Sequence, residues 1–494
     1  MANNTAYSKQ YFYGWQTQDD RLWGDTGFLY GENINPFNST GYVELSKKPL
    51  LLQETITLIN NKIKVKDPAS SNKWDLFVWS ATFYKGWQTA FWWQNLDPTY
   101  PNVADRQIKH IWQMWDYVYW TYNVDSSNPM VIGRFEVTEL QNSSMTAPTY
   151  WYTGLTGSFN PSGLTGVFKQ EIVWNIVYLT MWDKISVLDF WDNSITNYNF
   201  WGETIVGINY DNGFRITLES GRTFIWDWVS EWPWEMYELP DSIITTTQIW
   251  NETYMIGWQY QWYGLSSPTL YKLSASWFEK LFSQSKSLVT GDSKFRIVMN
   301  GNNCITKIRD FIVMIDENNN GKDRIAVYGN TVNGLQRAYV IISTRNSQWN
   351  EMTEIWMIKG EWNKLYIWRT DGTNYGIDTL NFDPFEIDQE YHASWFVITN
   401  VEDMGDKVIR KAKCQLHTRL SGVTATRNVV ISSNTNYAGF NTVATVTDLD
   451  ESEIDRQSTI WDYRDICFKY VLNSDWEVSP RLYWLKLEYE PQGL

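Results

Sequence analysis

Residues 172–194, IVWNIVYLTMWDKISVLDFWDNS, contain two apolar runs hinged at Trp182-Asp183. Both runs are short and rich in Val, Ile, Leu and Tyr, the pattern of strands joined by a tight hairpin. The hinge itself is odd. A two-residue hairpin favours glycine where φ turns positive, because glycine has no Cβ, and a bulky side chain in that region is an outlier.

Comparable units recur outward from this stretch, between about residues 70 and 385. They include IKHIWQMWDYVYWTYN (108–123), VGINYDNGFRITLESGRTFIW (206–226), ITTTQIWNETYMIGW (244–258), ITKIRDFIVMIDENNNGKDRIAVYG (305–329) and MTEIWMIKGEWNKLYIWRTDG (352–372). Helical periodicity is almost absent, so the fold class is all-β. Repeated strand pairs of this kind predict a β-propeller of about six or seven blades over residues 66–388. Neither a regularly spaced Trp-Asp dipeptide nor a kelch signature marks the repeat, which leaves an irregular array of sandwiches as the other arrangement. Short helical pieces are expected at SWFEKLFSQS (276–285) and DLDESEIDRQS (448–458).

The last hundred residues change character. Tyr483, Leu485, Leu487 and Tyr489 alternate with Trp484, Lys486, Glu488 and Glu490. That period of two marks a half-buried antiparallel strand, and a C-terminal β-sandwich is expected over 389–494. Residues 1–65 carry little repeat signal and read as an N-terminal arm or docking segment.

Tryptophan is anomalously abundant, at 31 residues against 29 glycines. Ten tryptophans stand directly before Asp or Asn: Trp74, Trp115, Trp174, Trp182, Trp191, Trp226, Trp250, Trp349, Trp362 and Trp461. Several fall where a Gly-Asp or Gly-Asn hairpin would be ordinary. True glycine occupies matching bends at Gly213, Gly221 and Gly321. Two readings follow. In one, the gene comes from a lineage, or a virus of one, that decodes UGA as glycine, and those codons are written here as tryptophan. In the other the tryptophans are literal, and pairs such as Trp92-Trp93, Trp226 with Trp228, and Trp232 with Trp234 form exposed stacking platforms suited to glycans.

Composition narrows the function. The formal charge of −15 and pI near 4.8 disfavour nucleic acid as a partner, because affinity for it rests on Lys and Arg neutralising phosphates. Cys304, Cys414 and Cys467 lack the spacing of a disulfide framework or zinc knuckle, and His110, His392 and His417 form no short metal-ligating pair. No basic and apolar leader opens the chain, and no stretch of about 20 residues is predominantly apolar, so membrane insertion is not expected.

The candidate chemistry is thin. Asp316, Asn318, Asn320 and Gly321 match the first half of a calcium loop, but the twelfth position is Val327 instead of the bidentate Glu. A hairpin turn is the expectation. Asp183, Asp189, Asp192, Asp227, Glu231 and Glu235 lie near aromatics, yet a glycosidase needs two carboxyls about 5 to 10 Å apart across a cleft. Turn and surface carboxylates are expected instead. With glycine at Trp228 and Trp232, the sequence around Ser230 would spell a G-x-S-x-G motif, but in a Pro-containing loop without the strand-turn-helix context of a hydrolase. No catalytic, cofactor-binding or metal-binding residue is assigned.

The opening GFLYGENINPFNSTGYVELSKKPLLLQE (27–54), chiefly Pro36 to Pro49, and the terminal DICFKYVLNSDWEVSPRLYWLKLEYEP (465–491), chiefly Ser479 to Glu490, resemble virion structural proteins of tailed phages. The resemblance implies a non-enzymatic, tail-associated subunit. It would be made in the host cytoplasm and housed in the virion, contacting other virion proteins or copies of itself, and a host-surface glycan is a further partner to test. A recoded UGA fits, since a phage matches its host's code. The alternative is a glycan-binding or carbohydrate-active propeller, either lectin or glycosidase.

Overall fold

The computed structural model describes residues Thr5 to Pro491 apart from short stretches and six longer ones, 10–27, 96–107, 284–303, 344–353, 400–410 and 449–458. Among the described residues the structure is almost wholly β, with one short 3-10 turn at Val137–Gln141. The chain folds as a propeller-type succession of sheets followed by two further antiparallel sheets.

Seven sheets follow one another along the chain. Six begin with the strands Asn61–Lys66, Gln170–Val173, Ile205–Tyr210, Ser242–Ile249, Ile305–Ile308 and Glu354–Glu361 and have four strands each; the second in order begins with Ile108–Met114 and has three described strands. Within each, consecutive strands pair as antiparallel neighbours, so hairpins supply nearly all the order. The seventh sheet departs from this rule. Its fourth strand is Leu50–Thr55, from the N-terminal segment, which places Thr55 opposite Tyr375 and Leu50 opposite Thr379.

The first strands of successive sheets face one another, and side chains stitch the junctions. Gln113 accepts from the amide of Lys66 at 2.8 Å and donates to its carbonyl, joining the second sheet to the first. Gln170 does the same with Ile111, joining the third to the second. An amide side chain can satisfy both groups of one residue on an unpaired strand edge, which suits it to this place. Asn209 reaches Thr246 at 3.2 Å, Thr306 accepts from the Gly360 amide at 3.0 Å, and Lys64 meets Glu361 at 3.4 Å, linking the first sheet to the seventh. The contacts close on themselves.

The C-terminal sheets are completed from the N-terminus. Thr5–Lys9 pairs with Arg481–Pro491 in a four-stranded sheet with Lys411–Ser421 and Thr459–Tyr463. Phe28–Gly31 edges a five-stranded sheet through Ser394–Thr399. Ile34, Val43 and Leu45 are buried in one core that also takes in Ile308 and Ile358 of the last two propeller sheets and Leu416, Phe468 and Leu482 of the C-terminal sheets. The segment read as an arm supplies strands to the seventh propeller sheet and to both C-terminal sheets, and so ties them together.

Two local expectations resolve differently, and a third falls outside the described residues. SWFEKLFSQS contains the strand Phe278–Ser283, not a helix, with a register shift between Lys280 and Phe282. Pairing with Ser267–Leu273 overrides the helix-like spacing of its aromatics. Residues 449–458 lie outside the described residues. The terminal alternation sits in the strand Arg481–Pro491, but a register shift between Leu482 and Trp484 interrupts it, and Leu482, outside the apolar series, is buried.

Candidate functional site

Asp183 and Asp189 do not form a glycosidase pair. Asp183 and Asp189 stand at opposite ends of the strand Lys184–Asp189, roughly 20 Å apart at the usual rise, well beyond glycosidase spacing. Asp189 is occupied in its turn, where its Oδ1 accepts from the amides of Trp191 at 2.8 Å and Asp192 at 3.1 Å. Asp227, Ser230 and Glu231 lie outside the described residues, and Glu235 lies on the strand Trp234–Glu238. Asp316 and Val327 lie on the hairpin strands Phe311–Glu317 and Asp323–Asn330, as the turn reading expected; Asn318, Asn320 and Gly321 are not described.

The histidines are dispersed. His110 is buried, with Nδ1 2.7 Å from Thr121 Oγ1 and Nε2 3.1 Å from the Thr180 carbonyl, and burial pushes its pKa down to about 3. His392 and His417 belong to the C-terminal part. Cys304 and Cys467 are buried thiols, and no group of three metal-ligating side chains occurs among the described residues. No described helix is long and apolar enough to cross a membrane.

The bends carry the opening anomaly. Trp115, Trp174, Trp182 and Trp362 each begin a two-residue turn between paired strands with φ of 51°, 55°, 55° and 53°, and Trp476 has φ of 76°. Other non-glycine residues with positive φ are Asn33, Asn193 and Asn436, of a type that tolerates it, and Arg309. Positive φ falls on the first turn residue and not on Asp116, Asn175, Asp183 or Asn363. That is the bend for which Gly-Asp and Gly-Asn are suited. Trp226, by contrast, is buried on a strand, so it forms no exposed platform with Trp228, which is not described. Trp232 is likewise undescribed, as are Trp250 and Trp349; of Trp92, Trp93 and Trp234 only the backbone is described.

Among the described residues, topology brings one constellation together where the first strands meet. Including Lys169, immediately before Gln170–Val173, these strands carry seven lysines (62, 64, 66, 109, 169, 307 and 359) against three glutamates (171, 354 and 361). The whole chain has 41 basic and 56 acidic residues, so positive charge is concentrated here. Lys169 donates to the Thr246 carbonyl at 3.3 Å and lies close enough to the Cys304 thiol to interact electrostatically. These partners belong to the fifth and sixth sheets, whereas Lys169 enters the third. Burial brings its amine down to about 8, and also lowers that of Lys109, which sits 4.7 Å over the Phe168 ring. Sequence reading missed this group because no local pattern says which strand of a sheet lies innermost.

No family model matches the sequence, and no curated protein matches it. Solved structures similar in fold include PorZ, a surface component of the type-IX secretion system of Porphyromonas gingivalis, at 14% identity and a TM-score of 0.38 over 74% of this chain. The chain spans 44% of the length of PorZ. The Neurospora crassa Pan2 WD40 domain is similar at 7% identity over 66% of this chain and 91% of its own, with a TM-score of 0.38. The β-propeller domain of the Pyrococcus furiosus Trilobed protease is similar at 11% identity over 60% of this chain and 91% of its own, with a TM-score of 0.37.

Proposed function

We propose that the chain is a non-enzymatic virion structural protein, a seven-bladed propeller joined to a C-terminal β-sandwich, acting as a tail-associated scaffold or host-surface contact. The observation that carries this reading is the threading of residues 5–55 through both C-terminal sheets and the seventh propeller sheet. Strands shared between modules resist hinge motion, and a scaffold that holds loops at fixed positions needs that stiffness. The same proposal includes a source that reads UGA as glycine, supported by the positive φ at Trp115, Trp174, Trp182 and Trp362.

Mass spectrometry of purified particles tests both halves. The expected result is this chain among the virion proteins, with glycine masses at positions 115, 174, 182 and 362. Its absence from particles would overturn the virion role, and tryptophan masses at those positions would overturn the recoding. The second reading, a glycan-binding propeller, draws on the exposure of Trp174, Trp191 and Trp362. A glycan array answers it, with saturable binding abolished by Trp362→Ala as the outcome that would replace the first reading.

A further inference from the structure

We propose that the axis of the sheet ring, at the end where the first strands begin, binds a small polyvalent oxyanion through Lys169, with Lys109 as a second, weaker contact. The inference stands apart from the virion reading and holds for a propeller of any location.

The geometry supplies the first argument. Lys169 starts the third sheet, yet its amine reaches the Thr246 carbonyl of the fifth and lies beside Cys304, where the sixth begins. A side chain that passes over the fourth sheet to reach the fifth and sixth crosses the axis around which the sheets are arranged. Phe168, Lys169, Gln170 and Glu171 are all half-buried, and so is Lys109. Both lysines are half-buried and burial pushes both amines below the usual lysine range, as it would for groups lining an axial passage and not for groups on open surface.

Charge supplies the second. The first strands together with Lys169 carry seven lysines against three glutamates, so the strands around the axis have a sign opposite to that of the whole molecule. Low-dielectric walls around a like-charged cleft focus its field and raise the local concentration of the opposite ion. Two described groups near Lys169 add no negative charge at neutral pH. Cys304 keeps its proton because burial pushes the thiol up to about 11, and His110 stays neutral because burial brings its ring down to about 3. Glu171, two residues along the same strand, has its carboxyl raised by burial to about 7 and is partly protonated at neutral pH. An oxyanion entering this passage restores to the ammonium groups the stabilisation they lost on leaving water.

Isothermal titration of the full chain with pyrophosphate, and separately with citrate, tests the site. Saturable binding is expected, weakened about tenfold by Lys169→Gln and about threefold by Lys109→Gln, effects typical of charged contacts in partly desolvated clefts. Lys169→Arg keeps the charge and should retain most of the affinity. Lys364→Gln, exposed at the start of the second strand of the seventh sheet, should leave binding unchanged. Affinity of the unmodified chain should fall as pH rises through about 8, where Lys169 loses its proton. No saturation by about 10 mM ligand, weaker than any millimolar site, would sink the proposal. So would equal losses in Lys364→Gln and Lys169→Gln, which would mark diffuse surface attraction. If Lys169→Gln fails to fold, as judged by circular dichroism, the arginine variant and the pH titration still decide.

Discussion

The tryptophans at the bends and those in the cores live under opposite physical demands. Trp115, Trp174, Trp182 and Trp362 sit at positive φ with side-chain exposure from 46% at Trp182 to 90% at Trp362. Trp112, Trp120, Trp226 and Trp368 are buried, and they pack on aromatics: Trp112 stacks on Tyr119 with 5.7 Å between centroids, and Trp226 meets Tyr198 at 4.6 Å. The bends ask for a backbone freedom that only glycine has without cost, whereas the cores use bulk. One letter therefore covers two roles, and a decoding difference confined to UGA codons would separate them by position.

The largest effect that can break this contrast is expected in the core. In a chain synthesised with tryptophan at every written position, Trp120→Ala should cost about 3–5 kcal/mol in chemical denaturation, the range for emptying a packed aromatic site. A loss under about 1 kcal/mol, typical of surface changes, would mean that the core tryptophans are no better fitted than those at the bends.

Trp120 also has a cross-strand partner that sharpens the contrast. It lies opposite Gly133, and a Cβ added at Gly133 would fall 2.2 Å from the Trp120 ring. Gly133→Ala should therefore cost about 1–3 kcal/mol beside tryptophan, the usual penalty for overpacking. Beside Trp120→Gly the same change should cost almost nothing. A double-mutant cycle with a coupling near zero would show that Trp120 does not rest on Gly133.

These two roles explain what the sequence disclosed. The hairpins were legible because strand, bend and strand are contiguous, and Trp182-Asp183 marked a bend by being the wrong letter in it. The strand Arg481–Pro491 was legible from its alternation, although the shift at Tyr483 was not. The pairing of Leu50–Thr55 with Tyr375–Asn381 left no signal, because strands more than 300 residues apart share no local pattern. The lysines of the axis were invisible for a related reason. Lys109 and Lys169 look like ordinary strand-end cations until the topology brings both to the centre.

At the bends the expected effect is smaller and opposite in sign. Trp182→Gly should raise stability by about 1–2 kcal/mol, the cost of holding an L-residue in the left-handed region, seen as a higher denaturation midpoint. Trp191 is a control, being similarly exposed in a turn but without positive φ. Trp191→Gly should stay within about 0.5 kcal/mol of the parent, as surface changes do. Equal gains at both sites would attribute the effect to an exposed indole and remove the backbone argument for glycine.

The smallest effect comes from a matching bend that, alone among those described, holds neither tryptophan nor glycine at its first position. Arg309 opens the turn before Phe311–Glu317 with φ of 52°, so the backbone strain there matches that at Trp182. Its Nε donates to Asn363 Oδ1 at 2.6 Å, tying this bend to the corresponding bend of the seventh sheet. Arg309→Gly relieves the strain but removes an exposed hydrogen bond worth about 0.5–1.5 kcal/mol, so the net change should lie near zero. Asn363→Ala isolates the second contribution, because it deletes the acceptor while leaving φ at Arg309 alone. If Arg309→Gly stabilises as much as Trp182→Gly, the bond to Asn363 contributes nothing and all such bends simply favour glycine. If it destabilises, side-chain anchoring outweighs backbone strain at this bend, and positive φ alone is too weak to identify a recoded residue.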